Sequence, residues 1–247
     1  MLQKTRGIVL RAVKYGETSL VVTIFTEEFG IQSYLVNGVR STRSARIKAA
    51  SFQPGMMLDM VVYHHARKSL QRIAEVQYGY LYQRIPFDPV RTAIMLYIVE
   101  LLLRVLQHPQ AFKDLYAFSE QQLRWLDRTD AGIANLPLFF TLRVAALLGI
   151  GLPRGFSAAM PYLDLREGIF LSHVPAHPDY LDAAASEITD RLLSCQTAED
   201  AATLRLQQTE RRKLLLHYQD YLRWHIPGFT ALQVLPTLFQ LFDTSDS

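Results

Sequence analysis

Residues 5–48 of the chain read TRGIVLRAVKYGETSLVVTIFTEEFGIQSYLVNGVRSTRSARIK, and this stretch decides the predicted fold. Three β-favouring runs at 7–13, 19–26 and 31–36 are separated by Tyr15-Gly16-Glu17 and by a second turn that ends at Gly30. Short apolar and β-branched runs broken by glycine-containing turns are typical of consecutive antiparallel strands. We therefore predict a β-meander or a small barrel at the start of the chain.

A basic segment follows the third predicted strand. Residues 38–49 read GVRSTRSARIKA, and the whole span 29–58 contains no Asp or Glu. The cations of this segment are Arg40, Arg43, Arg46 and Lys48. Because cations without neighbouring carboxylates attract polyanions, we predict that these four side chains contact phosphates.

Two more strands are predicted at 56–65 and 70–81, with a basic turn at 66–69 between them. Five strands and one long basic connection favour a five-stranded OB-fold β-barrel over residues 1–84. Further candidate phosphate contacts on this barrel are Lys4, Arg6, Arg11, Lys14, Arg67, Lys68 and Arg72. Its interleaved aromatic residues are Phe25, Phe29, Tyr34, Phe52 and Tyr63. Because a small barrel must fill its core, we expect one or two of these five to be exposed for base stacking.

The pattern changes at Pro86-Phe87-Asp88-Pro89, where Asp88 suits a helix N-cap and Pro89 the first helical position. Helical spacing of apolar residues then predicts an α-helical domain over residues 85–247, so that the fold class is α+β. We predict a first helix from Pro89 that His108-Pro109 ends, and an irregular segment at 149–178. Further predicted helices cover 111–128, 136–148, 178–193, 199–224 and 229–242.

Charge is divided unevenly between these two parts. Residues 1–87 carry twelve Lys or Arg and five acids, a net charge of +7, whereas residues 88–247 have a net charge of −4. Such asymmetry favours a nucleic-acid-binding module joined to a structural or partner-binding one. The alternative is that solvated charges cluster by chance.

Several classes of function are disfavoured by the composition. The start of the chain lacks the pattern of a secretion signal, and the longest apolar run, 92–103, contains Glu100; we expect a cytosolic, nucleoid-associated protein without a membrane span. The chain contains no phosphate-binding loop motif and no closely spaced carboxylates for Mg²⁺ near His64-His65. We therefore predict a non-enzymatic protein.

The two ends of the chain resemble the bacterial recombination mediator family RecO. The resemblance lies in Thr5-Arg-Gly-Ile-Val-Leu, in Tyr15-Gly-Glu, in the basic Gly38-Val-Arg, and in HIPGFTALQVL at residues 225–235. The family implies an N-terminal OB-fold, an α-helical C-terminal domain, and binding of single- and double-stranded DNA. It also implies annealing of complementary strands and loading of recombinase together with RecR and single-stranded-DNA-binding protein.

One departure from the family concerns metal. Many RecO proteins carry a four-cysteine zinc motif where this chain has residues 149–178, a segment without cysteine. The lone Cys195 cannot replace four thiolates, and Pro175 lies between His173 and His177. We predict no metal and no cofactor.

The family resemblance also implies a site for the acidic tail of single-stranded-DNA-binding protein, which ends in an apolar residue. Such a tail requires an apolar pocket with a cationic rim. Candidates for the rim are Arg143, Arg211, Arg212, Lys213 and Arg223. Two other functions stay open: an OB-fold RNA-binding protein, because phosphate contacts do not distinguish RNA from DNA, and a protein-interaction scaffold.

Overall fold

A computed structural model describes residues 1–37 and 49–245 of the protein. Two compact units divide the chain. The first contains Met1–Phe87 and Ile98–Arg124, and the second contains Asp88–Tyr97 and Trp125–Ser247. The domain boundary between residues 84 and 85 stays a prediction.

The first unit is built on a closed barrel of five strands, in the order β1-β2-β3-β5-β4. The strands are β1 (Leu2–Tyr15), β2 (Ser19–Thr26), β3 (Gly30–Val36), β4 (Met57–Tyr63) and β5 (Leu70–Tyr80). Every pairing is antiparallel except that of β3 with β5, which is parallel and joins three residue pairs between 33–35 and 70–72. The predicted OB-like barrel is therefore confirmed.

Strand alternation separates the core of the barrel from its surface. The buried core residues are Val9, Leu20, Val22, Ile24, Tyr34, Val36, Phe52, Leu58, Met60 and Val62. Phe25, Tyr34 and Phe52 are buried, and Tyr63 is 46% exposed. Phe29 is only partly buried and packs against the core cluster. The expectation that few of the five aromatic residues would be exposed is confirmed.

Two helices add to the barrel unit. These are α1 (Pro89–Val105), whose residues from Ile98 onward belong to this unit, and α2 (Lys113–Arg128), which belongs to it as far as Arg124. The ring of Phe25 in β2 meets Tyr116 of α2 edge-on at 5.5 Å, and the guanidinium of Arg124 lies 4.5 Å from the centroid of Tyr80. Helix α2 is therefore fixed to the barrel through aromatic contacts.

The second unit is mainly helical. Its helices are α3 (Leu136–Leu147), α4 (Ala183–Ser194), α5 (Ala198–Ala202), α6 (Gln208–His225) and α7 (Leu235–Ser245). Buried hydroxyl groups join the helices in pairs: Tyr97 Oη lies 2.6 Å from Thr141 Oγ1, and Thr189 Oγ1 lies 2.8 Å from Tyr218 Oη. A buried polar group needs such a partner, so these pairs fix how the helices pack.

The prediction of one helix over 199–224 is wrong. Helix α5 ends at Ala202 and α6 begins at Gln208. Each helix has its own N-terminal capping box, formed by Thr197 with Asp200 and by Gln207 with Glu210. These boxes satisfy amide groups that a continuous helix would bond internally, and they stabilise a break between the two helices. The last helix likewise begins at Leu235, six residues later than predicted.

The prediction that residues 149–178 are irregular is wrong in part, because this segment contains two short strands. A three-stranded sheet contains β6 (Tyr162–Asp164), β7 (Ile169–Leu171) and β8 (Tyr180–Leu181), in the order β7-β6-β8. Strands of two or three residues are too short to show alternation in the sequence.

Polar side-chain contacts join the parts of this small sheet. His177 Nε2 lies 3.0 Å from Asp164 Oδ2, and Arg166 donates to Asp179 at 2.7 Å. His225, the first residue of the HIPGFTALQVL motif, lies 2.9 Å through Nε2 from the carbonyl oxygen of Leu165. In the part of the chain that the structure describes, no three His, Cys, Asp or Glu side chains come together as metal ligands would. The absence of a metal stays a prediction.

None of the helices in the described ranges is long and apolar enough to cross a bilayer.

Candidate nucleic-acid interface

Strand register brings separate parts of the sequence together on the outside of the barrel. One outward row links Arg11, Thr23, Ser33 and Leu70. The next outward row links Val13, Val21, Leu35, Arg72, Tyr63 and Leu2. The second row runs through all five strands of the closed barrel, so Arg11 on β1 and Arg72 on β5 lie on neighbouring rows but on strands that are not adjacent.

A cleft of about 570 Å³ opens on the outside of the barrel at the β3–β5 junction. The residues that line it are Leu35, Tyr63, His65, Lys68, Leu70, Gln71 and Arg72. No carboxylate is among these described lining residues. Lys68 and Arg72 can bind phosphate oxygens, and the exposed ring of Tyr63 can stack on a base. We call Arg67, which adjoins Lys68 in the turn, and these lining residues the basic flank.

Gln71 fixes the turn that carries two of these cations. Its side chain is 2% exposed, and its amide nitrogen donates to the carbonyl oxygens of His65 at 2.9 Å and Lys68 at 2.7 Å. The amide oxygen of Gln71 accepts a hydrogen bond from His65 N at 3.0 Å. The turn between β4 and β5 is thus pre-organised, and Arg67 and Lys68 project from a fixed backbone.

His64 begins the same turn and stacks on Phe29, with ring centroids 4.0 Å apart and planes at 11°. Burial, and repulsion from nearby positive charge, lower the pKa of His64. It is therefore neutral near pH 7, and the charge of the turn comes from Arg67 and Lys68.

Arg6, a predicted phosphate contact, is engaged within the protein. Its guanidinium donates to both carboxylate oxygens of Glu27, at 2.9 and 2.8 Å, and to Glu120 at 2.6 Å. Arg124 donates to the other oxygen of Glu120 at 2.7 Å. Hydrogen bonds from Arg6 hold the pKa of Glu27 below its usual value. These contacts occupy Arg6 in fixing α2 to the barrel.

Lys4 lies on a different flank. It lines a cleft of about 540 Å³ whose lining includes four carboxylates, those of Glu27, Glu28, Asp59 and Glu75. We call this side the acidic flank. The lining also contains Arg6, which pairs with Glu27, so that four carboxylates and two cations leave this surface with a net negative charge that disfavours a polyanion.

The remaining predicted contacts fall in two groups. Lys14, near the end of β1, and Arg67, in the β4–β5 turn, are both exposed. The four cations of the basic segment lie outside the described residues: Arg40, Arg43, Arg46 and Lys48.

The five candidates for a tail-binding rim do not form one cluster. Arg211 and Arg212 line a notch with Leu215, Phe239 and Phe242, together with Gln208 and Asp243. The Arg212 guanidinium lies 5.0 Å from the Phe239 ring centroid.

The other three candidates lie apart from this notch or have acidic partners. Lys213 pairs with Asp182 at 2.5 Å, and Arg223 pairs with Asp220 at 3.1 Å. Arg143 is half-buried on α3. The notch therefore holds the two rim candidates that share an apolar neighbourhood.

Sequence reasoning missed Leu35, His65, Leu70 and Gln71 as parts of the cleft. Alternation along β3 places Leu35 outward, and an apolar residue at an outward position is a signal that could have been used. Gln71 carries no such signal, because its role depends on a turn backbone that only the fold defines.

Comparison with known proteins matches the N-terminal and C-terminal parts of the chain to the same protein family. Residues 1–80 match the family model described as Recombination protein O N terminal, and residues 86–231 match Recombination protein O C terminal. The chain is 34% identical over 243 residues to a DNA repair protein RecO of Phocaeicola vulgatus, covering 98% of this chain and 100% of that protein. It is 33% identical over 246 residues to the DNA repair protein RecO of Bacteroides fragilis, with the same coverage. The chain therefore belongs to the RecO family.

Proposed function

We propose that the protein binds DNA through the basic flank of its barrel and acts as a non-enzymatic recombination mediator in DNA repair. The observation that carries this proposal is the cleft between β3, β5 and the β4–β5 turn. It combines Lys68 and Arg72 with the exposed ring of Tyr63, and its described lining includes no carboxylate. Family membership supports the same role.

The cleft suits a single strand. Phosphates bind the cations and a splayed base stacks on Tyr63, whereas bases paired inside a duplex cannot reach an aromatic ring. Duplex DNA then binds through phosphate contacts alone, with Arg67 extending the positive surface beside the cleft. The basic segment with Arg40, Arg43, Arg46 and Lys48 adds further phosphate contacts in this proposal.

Annealing follows from the same charges. Two complementary strands repel each other through their phosphates, and a cationic surface that binds both lowers this repulsion and raises their local concentration. Base pairing supplies the driving force, so no covalent step is needed. In this role the protein acts on strands coated by single-stranded-DNA-binding protein and cooperates with RecR to load recombinase.

A salt titration tests the proposed DNA site. The variant Arg67→Gln/Lys68→Gln/Arg72→Gln removes three cations of the basic flank, and Arg40→Gln/Arg43→Gln/Arg46→Gln removes three from the basic segment. Each lost phosphate contact lowers the slope of log affinity against log salt by about 0.7 for a single strand. We expect a slope smaller by about 2 for the flank variant.

The matched control removes three exposed cations elsewhere, with Lys4→Gln/Arg191→Gln/Arg205→Gln, and should leave the slope unchanged. If the flank variant keeps the native slope while the segment variant loses it, the site lies on the basic segment. A loss in the control variant of the same size as in the flank variant would mean that binding is not localised.

Partner binding is tested separately. We place the acidic tail of single-stranded-DNA-binding protein at the notch formed by Arg211, Arg212 and Phe239, because apolar and cationic groups meet there. A tail peptide should bind Arg212→Gln more weakly and Arg223→Gln as tightly as the native chain. Annealing of strands precoated by the single-strand binder distinguishes a mediator from a scaffold, which would leave the annealing rate unchanged.

A further inference from the structure

A buried carboxylate lies within the small sheet of β6, β7 and β8. Asp164 of β6 is only 4% exposed. Its Oδ1 accepts hydrogen bonds from the backbone amides of Arg166 at 2.8 Å and Glu167 at 3.2 Å, and its Oδ2 lies 3.0 Å from Nε2 of His177. Because a buried charge requires such partners, this one carboxylate joins β6, the turn after it and the segment before β8.

The turn after Asp164 makes further connections. The backbone amide of Leu165 donates to the carbonyl oxygen of Asp179 at 3.0 Å, and the carbonyl oxygen of Leu165 lies 2.9 Å from Nε2 of His225. The guanidinium of Arg166 donates to the Asp179 carboxylate at 2.7 Å and lies 4.6 Å from the centroid of the Trp224 ring. The turn that Asp164 fixes is therefore also bonded to the C-terminal end of α6.

A structural zinc ion joins chain segments in a similar way, through four ligands. Many RecO proteins carry four cysteines for such an ion in this part of the chain, but residues 149–178 contain no cysteine here. The Cys195 thiol donates to the carbonyl oxygen of Arg191 at 3.4 Å, and burial raises the pKa of this thiol.

His177 does not complete a zinc site either. Its Nδ1 is buried and has no hydrogen-bond partner among the described residues, so it is a possible ligand atom. However, no three His, Cys, Asp or Glu side chains converge around a common point in the described ranges. The side chains of this segment therefore do not fit a structural zinc ion.

We propose that the Asp164 carboxylate, with His177, organises the small sheet in place of a metal ion. A zinc ion gathers lone pairs from separate segments around a positive centre, whereas Asp164 gathers N–H donors from separate segments around a negative one. The second unit then folds without metal and without thiolate ligands. The proposed DNA site belongs to the barrel unit, so failure of either proposal leaves the other standing.

Metal analysis and calorimetry test the first part of this proposal. The purified native chain should contain no stoichiometric zinc, and excess EDTA should change its Tm by less than about 1 °C, because no bound ion contributes to folding. A protein with a structural zinc ion loses folding free energy when the ion is removed. Stoichiometric zinc, or a fall of Tm in EDTA that added zinc reverses, would overturn the proposal.

Hydrogen exchange tests the role of the carboxylate. Asp164→Asn keeps the size of the side chain but removes the charge that faces His177, and amide hydrogens of β6, β7 and β8 should exchange about tenfold faster. Asp190→Asn is the matched control, because Asp190 also accepts a backbone amide, that of Gly155 at 2.9 Å, but its side chain is more exposed, 20% against 6%. The control should leave exchange in the sheet unchanged. Native exchange in Asp164→Asn, or equal acceleration in both variants, would show that Asp164 has no special role.

Two variants of His177 carry the test if Asp164→Asn does not fold. His177→Gln keeps an N–H group that can donate to Asp164, and His177→Ala does not. In a Trp125→Phe background the remaining tryptophan is Trp224, whose ring contacts Arg166 of the turn. Acrylamide should quench its fluorescence more strongly in His177→Ala than in the parent, and His177→Gln should restore quenching toward the parent value. Equal quenching in all three proteins would contradict the proposed contact.

Discussion

Replacing Arg6 by Met should destabilise the protein without altering its DNA site. The guanidinium makes three charge-assisted hydrogen bonds, two to Glu27 and one to Glu120, whose side chain is only 10% exposed. Hydrogen bonds to charged groups contribute about 1.5–3 kcal/mol each when buried, but the Arg6 side chain is 43% exposed and is screened by solvent. We expect a net loss of about 2 kcal/mol, equivalent to about 4–8 °C in Tm.

Lys113→Met is the matched control for this variant. Lys113 pairs with Glu28 at 2.8 Å, and the two side chains are 61% and 40% exposed. A solvent-exposed pair is screened and contributes little, so the control should lose less stability than Arg6→Met in chemical denaturation. Equal losses in the two variants would refute the argument that burial of Glu120 makes the Arg6 contacts important.

The Arg6 contribution depends on pH in a known direction. Arg6 lowers the pKa of Glu27 below its ordinary value of 4.5 in the folded state. The stabilisation is therefore complete above about pH 4.5 and is lost as the pH falls through the folded value. The difference between native and Arg6→Met proteins should shrink below pH 4.5. A salt slope for DNA binding reduced by about 0.7 would show instead that Arg6 contacts a phosphate.

Three further predictions concern single residues. Gln71→Leu should weaken DNA binding severalfold in a titration with unchanged salt slope, because it loosens the turn carrying Arg67 and Lys68 without removing charge; a reduced slope would contradict this. Gly30→Ala should lower the free energy of unfolding by roughly 3 kcal/mol or more, because Gly30 has φ +64° and a Cβ there would lie 1.9 Å from the carbonyl oxygen of Gln110. Its control Gly16→Ala, at φ +60° in open space, should lower it by only about 1 kcal/mol. Burial and the neighbouring Lys213 lower the pKa of His217 below 6.5, so the unfolded chain binds a proton at this residue before the folded protein does, and stability falls as the pH drops below 6.5. His217→Gln should flatten the plot of unfolding free energy against pH below pH 6.5, and an unaltered plot would contradict the assignment.

The barrel could be predicted closely because its strands carry a local signal. Alternating apolar residues and the glycine turns place β2 at Ser19–Thr26 in both the prediction and the structure. The two-residue strand Tyr180–Leu181 carries no such signal, since it forms only by pairing with Leu163 and Asp164. The two helices α5 and α6 each begin with a capping box. These boxes are present in the sequence, but a prediction from apolar periodicity alone does not detect them.

Prediction of the site depended on charge, and charge alone does not reveal pairing. Arg6 and Arg11 are equivalent by sequence, five residues apart on one strand. The fold places Arg6 against Glu27 and Glu120, and Arg11 on an outward row beside Thr23. Glu120 lies more than a hundred residues away along the chain, so only tertiary structure identifies which arginine is occupied.

The parallel pairing of β3 with β5 is the seam of the barrel, because it consists of only three residue pairs while the other four junctions are longer. Amide hydrogens that bond across this short junction exchange with solvent sooner than those of the long β1–β2 ladder, whereas β3 is also held to β2 and β5 to β4 by seven pairs each. Leu35 and Arg72 face each other across this seam, and both line the cleft. Any ligand that binds in the cleft contacts both strands, so its binding stabilises the β3–β5 junction. Exchange of the amide hydrogens that bond across this junction then becomes slower.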